Sequence, residues 1–440
     1  MFFLCHIFAS FFIFQINSDA KTGIQSHMVE NELIVQFDKN ASDEKIEALI
    51  TRFGASVKGT VKALDSYLLT IPPHISVDQA VARLKRNQLM KTVEPNYVLP
   101  VQAVPNDPLF ERQWALQDAG SVAMTKPADI NMSAAWAQTH GFSGVVIAVI
   151  DTGVDFTHED LAANIWHNPG EIPGNGIDDD QNGYTDDIIG WDFVDARSGA
   201  DGEDFSTPDN DPMDNHGHGT HVAGIAAAVG NNGLGIAGVA WNCKIMPLRA
   251  AYKTTSGEMM VASHQAAQAI IYAADNGAHI INLSWASNHR SILVERAIAY
   301  AAESGVLVCA ASGNQNTDAP AYPAAFDNPA IISVGSVDRN GNKAFNSNYG
   351  SWVDVCAPGV AIYSTYPNNQ YRFMSGTSMA TPVVSGIAAL IWSLNPNPTN
   401  LQVKDIILNS VDYLDSLVGM VLTGGQVNAN NALAEAMGAK

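Results

Sequence analysis

The apolar positions of this chain fall into runs and periods, and each predicts an element. Residues 145–150, 244–248, 280–284, 306–311 and 331–335 are almost unbroken apolar runs rich in Val and Ile. Runs of that length and β-branched character predict strands buried on both faces. Between them, residues 258–276 and 291–304 carry helical spacing and stop at Gly277 and Gly305, the residue type that closes helices. After Gly376, Val383, Val384, Ile387, Ala388, Ala389, Leu390 and Ile391 space like a buried helix. Pro382 is expected in the first turn of that helix, where a missing N–H is harmless. Residues 405–410 and 428–437 supply closing helices. Apolar strands alternating with helices predict an α/β fold, a doubly wound, mostly parallel sheet covered on both faces.

The earlier part of the chain reads differently. Residues 2–16 are almost wholly apolar, too short for a comfortable membrane span and of signal-peptide length, although the usual basic flank is missing. Residues 1–20 are therefore expected to be a signal peptide, with a retained N-terminal anchor as the alternative; no later stretch reads as membrane-spanning. Residues 29–100 predict a small α+β unit. Strands are expected at 33–37, 67–71 and 93–98, with helices at 43–53 and 77–84. A Pro-containing linker follows at 100–108, and no internal repeat is visible.

Composition narrows the classes. Hydrophobic residues make up 47% and charged residues 15%, which excludes a disordered chain. The formal net charge of −21 excludes nucleic acid as a partner. The acids crowd between Asp151 and Asp214, where 18 carboxylates face one base, Arg197; such crowding favours bound cations. Within it, Asp178, Asp180 and Asn182 alternate, Gly183 permits a tight turn, and Asp186 and Asp187 return oxygens, as in the first half of a calcium loop. Asp209, Asp211 and Asp214 form a second candidate cluster. Cys309 and Cys356 are expected as buried small hydrophobes, and the odd count of Cys243, Cys309 and Cys356 argues against a full disulfide framework, a single bridge being the alternative.

Candidate chemistry sits at the ends of the predicted elements. Asp151 closes an apolar strand, where α/β sheets place their chemistry. His218, Gly219, Thr220, His221, Val222, Ala223 and Gly224 open a small-residue helix. Gly376, Thr377, Ser378, Met379, Ala380, Thr381 and Pro382 open the long buried one. A serine at a helix start has unpaired N–H groups and the positive dipole end beside it. His216, His218 and His221 also invite a zinc reading.

Three motifs, Asp-Thr-Gly at 151–153, His-Gly-Thr-His-Val-Ala-Gly at 218–224 and Gly-Thr-Ser-Met-Ala-Thr-Pro at 376–382, stand in the order found in subtilisin-like serine proteases. Ala311, Ser312, Gly313 and Asn314 match that family's oxyanion segment. The sequence from about Asn106 onward resembles this family. The resemblance implies Asp151, His218 and Ser378 as a triad, Asn314 as oxyanion donor, and His218 as base rather than zinc ligand. It also implies that Ser284, Trp285 and Ala286 pair with substrate backbone, with Ala321 near the pocket floor and Gly257 on the opposite rim. The family usually has Gly where Ala286 stands, so the pocket entrance is expected to be narrower, and an uncharged, apolar substrate side chain is expected.

The α+β unit resembles the pro-region of the same family. That implies a folding assistant and intramolecular inhibitor at 28–103 ahead of a catalytic domain at 106–440 carrying an acidic insert at 168–214; an independent ferredoxin-like binding domain is the alternative. The whole implies a secreted, monomeric, self-processed endopeptidase acting on polypeptides, with structural Ca²⁺, no metal in its chemistry and no membrane in its mature form. A catalytically silent binding protein of the same fold is the rival reading.

Overall fold

Every residue of 146–151 is buried, and its side chains alternate between two separate apolar cores. Ile147 and Val149 enter one, and Val146, Ala148 and Ile150 the other. A strand apolar on both sides is stable only between two layers of helices, and that requirement organises the larger part of the molecule. This computed structural model describes residues 27–38, 41–98, 104–117, 128–196, 207–256 and 258–438. The chain forms two compact units, Met1–Val101 and Gln102–Lys440.

The first unit runs β1 (His27–Phe37), α1 (Asp43–Phe53), β2 (Ser56–Val61), β3 (Ser66–Thr70), α2 (Val77–Leu84) and β4 (Met90–Val98). Its antiparallel sheet has the order β2-β3-β1-β4. Leu33, Val35, Leu69 and Val93 meet Ile46, Ile50, Ala80 and Leu84 of the two helices in its core. Ser76 and Gln79 form a capping box that starts α2, and Gly54 closes α1 in the left-handed region. The expected pattern holds with one addition. β2 is an edge strand, mostly exposed and interrupted by a bulge near Gly59, so it carries no apolar run to read.

The second unit begins with α3 (Met132–Trp136), β5 (Val146–Asp151), β6 (Trp191–Asp192), α4 (His218–Ala227) and β7 (Lys244–Arg249). A small hairpin, β8 (Ala251–Lys253) and β9 (Met259–Val261), leads to α5 (Ser263–Asp275), β10 (Ile280–Leu283) and α6 (Ile292–Glu303). Then come β11 (Leu307–Ala311), β12 (Ile331–Val337), β13 (Val355–Pro358), and a second hairpin of β14 (Ile362–Tyr366) and β15 (Gln370–Met374). The chain closes with α7 (Thr377–Leu394), α8 (Asn400–Asn409), β16 (Asp412–Tyr413), β17 (Gly425–Gln426) and α9 (Ala429–Gly438).

The main sheet has the order β16-β17-β13-β12-β11-β10-β5-β7-β6, with every neighbouring pair parallel except β16 and β17. The order reverses between β5 and β10, and such a crevice is where doubly wound sheets bind ligands. α4, α7 and α9 belong to one core, and α5 and α6 to the other. α5 starts at Ser263, not at residue 258, because 259–261 pairs with β8 instead. Pro382 lies in the second turn of α7, not the first, since that helix begins at Thr377. Among the described residues, α7 is long and apolar enough to cross a membrane, but 83% of that stretch is buried inside the protein. Among the described residues, Cys243, Cys309 and Cys356 are free and buried, and burial pushes the Cys309 and Cys356 thiols up to about 12.

Candidate active site

Asp151 ends β5 at the reversal of strand order and is 2% exposed. Its Oδ1 accepts the Thr152 N–H at 2.8 Å and the His218 Nδ1–H at 2.7 Å. His218 is the first residue of α4, its side chain 19% exposed, so the ring meets both the carboxylate and solvent. The helix can lie this close because its second residue is glycine. A Cβ on Gly219 would sit 2.0 Å from the Gly153 carbonyl oxygen. Burial alone would push the His218 imidazole down; the Asp151 carboxylate, through charge and hydrogen bond, and the Asp214 charge outweigh it and hold it above the ordinary histidine value. His221 lies deeper. Its Nε2 donates to the Arg372 carbonyl at 3.0 Å, and burial pushes it down to about 4, so it stays neutral.

Ser378 is the second residue of α7. Its hydroxyl donates to the Ser284 carbonyl at 2.8 Å, while the Ser284 hydroxyl donates to the Ser378 carbonyl, also at 2.8 Å. Pro382 makes the latter bond available. It stands four residues on and has no N–H for the Ser378 carbonyl, which is left for Ser284. The Ser378 proton thus points at the Ser284 carbonyl rather than at the imidazole. Apo sites commonly show such loose alignment.

Asn314 follows β11. Its Oδ1 accepts the Thr377 N–H at 2.9 Å and the Thr377 hydroxyl at 3.2 Å. With the carbonyl half held, the Nδ2 donors face away from Thr377. Gly376, at φ 152°, is needed here, because a Cβ would lie 3.3 Å from Asn314 Nδ2. A held imidazole, a hydroxyl at a helix start and an oriented amide together can move a proton and stabilise an oxyanion.

Ser284, Trp285 and Ala286 leave β10 beside this group. The Trp285 indole N–H donates to the Ile150 carbonyl at 3.2 Å, which fixes the ring against β5. Ser287 pairs with Tyr322 through two backbone bonds of 2.8 and 2.7 Å and brings the Ala321 segment alongside. A cavity of about 390 Å³ opens there, lined by Met260, Val261, Ala266, Trp285, Ala286, Tyr322 and Phe326 together with the polar Ser263, His289 and Arg290. Ala321 is buried and is not among its lining residues. Gly257 lies outside the described residues.

The acidic insert gathers three carboxylates. Ligand oxygens of Glu171, Asp178 and Asp180 lie within 4.8 Å of one another. The donors that meet them are neutral amides. Asp178 takes the Asn182 and Gly183 N–H groups; Asp180 takes Asn182 and Asn168; Glu171 takes Asp179, Asp180 and Asp186 N–H groups. Glu171 stands seven residues before the alternating acids, so their spacing does not reveal it. Asn182 shapes the turn and bridges Asp180 to Asp187. Asp186 and Asp187 are not brought into the group. Asp186 accepts the backbone of Gly174, Asn175 and Gly176, and buried Asp187 accepts Asn168, Asn182 and the Tyr272 hydroxyl, docking the insert on α5. Nor do Asp209, Asp211 and Asp214 converge. Asp209 accepts the Asp211 N–H, and Asp214 turns inward to Thr152 and Thr220.

Comparison with known proteins agrees with this geometry. The Subtilase family model matches residues 143–438, and the fervidolysin N-terminal prodomain model matches 15–96. The chain is 37% identical over 406 residues to a thermophilic serine proteinase of Bacillus sp. (strain AK1), covering 92% of this chain and 88% of that one. It is 39% identical over 330 residues to thermitase of Thermoactinomyces vulgaris, covering 75% of this chain and 99% of the relative. A solved protease of Pseudoalteromonas arctica superposes with a TM-score of 0.62 at 31% identity, over 76% of this chain and all of that one. The chain belongs to the subtilase family and is a serine peptidase of that family.

Proposed function

We propose that the chain is a self-processed endopeptidase that cleaves polypeptides through an acyl-enzyme on Ser378. The observation that carries this is the 2.7 Å bond from His218 to Asp151, set at a strand end beside the start of the helix that bears Ser378. The Ser378 hydroxyl attacks the peptide carbonyl as His218 takes its proton. The tetrahedral oxyanion is met by Asn314 Nδ2 and the Ser378 N–H. His218 returns the proton to the leaving amine, and water then releases the acyl group by the same relay. Asp151 keeps Nδ1 protonated, so Nε2 is the basic nitrogen.

Substrate backbone pairs along Ser284, Trp285 and Ala286, with Ala321 near the pocket floor. The cavity beside Trp285 joins apolar side chains to Arg290 and has no acidic side chain in its lining, which supports a preference for substrate side chains without positive charge. Residues 28–103 act as folding assistant and intramolecular inhibitor until cleavage in the 100–108 linker frees a monomeric domain of 106–440; residues 1–20 direct export or anchor the chain. Glu171, Asp178 and Asp180, hard oxygen donors met by neutral amides alone, fit Ca²⁺, which would neutralise their charge and brace the insert.

The experiment is fluorophosphonate labelling with intact-mass and N-terminal analysis of wild type, Ser378→Ala and Asn314→Ala. Wild type should label and mature. Ser378→Ala should do neither, and Asn314→Ala should lose roughly 10²–10³ in kcat at similar KM. Maturation of Ser378→Ala in a protease-free preparation would overturn the reading.

A further inference from the structure

Asp214 is a carboxylate 2% exposed, held by neutral donors. Its Oδ1 accepts the Thr152 hydroxyl at 2.9 Å, the His216 N–H at 2.9 Å and the Gly217 N–H at 2.8 Å. Its Oδ2 accepts the Thr220 N–H at 2.9 Å and the Thr220 hydroxyl at 2.6 Å. Two elements are involved. Thr152 directly follows Asp151 at the exit of β5, and Thr220 lies two residues after His218 in α4. The Thr152 hydroxyl oxygen also accepts the Gly219 N–H at 2.9 Å. Strand exit and helix start are therefore joined twice, once through Asp214 and once directly.

Burying a carboxylate costs several kcal/mol unless hydrogen bonds replace its water. This one is placed where such bonds converge. α4 begins on Gly217, which has no side chain to cap it, and its first N–H groups need an acceptor. Asp214 supplies that acceptor from three residues upstream, and the helix dipole favours its charge. A neutral cap would satisfy the helix alone. The two-oxygen carboxylate satisfies helix and strand together.

We propose that Asp214 is a positioning residue for peptide hydrolysis, holding the Asp151 strand and the His218 helix in one hydrogen-bonded frame. It touches neither substrate nor the reacting atoms. Its effect is on the distance and angle at which imidazole and carboxylate meet. This inference rests on the assignment of Asp151, His218 and Ser378 made above.

The test compares Asp214→Asn, Thr152→Val and Thr152→Ser in the full chain, with kcat and KM for a chromogenic peptide amide measured after maturation, alongside melting temperature. Misplacing a proton acceptor by about an ångström costs on the order of 10² in rate. Asp214→Asn offers one acceptor oxygen in place of two, so kcat should fall roughly 10- to 100-fold with KM within about twofold. Thr152→Val should lower kcat in the same way, and Thr152→Ser, which keeps the hydroxyl, should recover most of the loss. If Asp214→Asn does not accumulate as folded protein, the Thr152 pair carries the test. A lower melting temperature with unchanged kcat, or equal kcat in Thr152→Val and Thr152→Ser, would overturn the inference. Ser378→Ala and His218→Ala are run beside them. Turnover surviving in those two would sink the triad itself, whereas their silence with a fully active Asp214→Asn would sink only the role of Asp214.

Discussion

Pro382 and Ser284 explain why a serine at the start of a buried helix is not simply a cap. A proline inside a helix costs about 3 kcal/mol. Here the cost is partly offset, because the carbonyl it leaves open is taken by the Ser284 hydroxyl, and that bond ties the nucleophile's backbone to the proposed substrate-binding strand. The motif around Ser378 is legible because its residues are contiguous. The turn that Pro382 occupies is not, since nothing in the sequence separates a proline merely tolerated at a helix start from one put to use a turn later. Asp214 reads as a cation ligand for a similar reason: acidity is visible in a sequence, whereas the direction of a carboxylate is not. His218 carries a testable consequence. In the proposed relay only its neutral form accepts the Ser378 proton, and its pKa is held above the ordinary value of about 6.5 by Asp151. Activity should therefore fall as pH drops through a midpoint above that value, and Asp151→Asn should move the midpoint down while lowering kcat. A pH profile of kcat/KM checks this; an acid limb centred below about 6.5 in wild type would contradict it.

At the scale of elements, apolar strands with a helix on either side are plain in the sequence, because their pattern is dictated by burial alone. The part-exposed β15 and the two-residue strands β6, β16 and β17 leave no such trace, as their residues are too exposed or too few to set a period. The start of α5 is misleading because Met259, Met260 and Val261 are as apolar as a first helical turn. The acidic insert at 168–214, which contains β6, is the element that depends most on charge. Its stretch 168–187 anchors through Tyr184, which packs on Trp191, Phe193 and Tyr272, while Ile172 and Ile177 stay exposed. Its order must come from hydrogen bonds and charge. A cation held by Glu171, Asp178 and Asp180 in the folded state alone, at 100 times its Kd, adds about 2.7 kcal/mol. Chelation should then lower the melting temperature and speed self-digestion within 168–196, while initial kcat at low temperature stays level. Glu171→Gln should weaken the calcium response as Asp178→Asn does. Identical melts with calcium and with chelator would return the segment to a solvated acidic loop.

Across the whole molecule, the change in apolar pattern near residue 100 marks the two compact units, and the alternation beyond it marks the sheet class. What no local pattern reveals is the order in which the sheet becomes covered. α7 belongs to the core on one side of β5, β10, β11 and β12, yet it occupies residues 377–394. Nearly all the strands it covers precede it. A chain leaving the ribosome thus presents one face of a growing sheet with only α3 and α4 to lie on it until the last stretch is made. Contacts closed so late in sequence are slow to form and leave apolar surface open to aggregation meanwhile. Folding of this unit should be post-synthetic, with the helix that carries the nucleophile arriving as its keystone. A Ser378→Ala chain of full length should melt cooperatively and resist added protease, whereas a chain stopped after Ser375 should bind a hydrophobic dye and be digested throughout 128–375. A cooperative melt of that shorter unit would show that the sheet can be completed without its central helix. On the proposed assignment the arrangement also delays hydrolytic competence: a partly made chain already holds His218 and Asp151, but has no Ser378 to cut with.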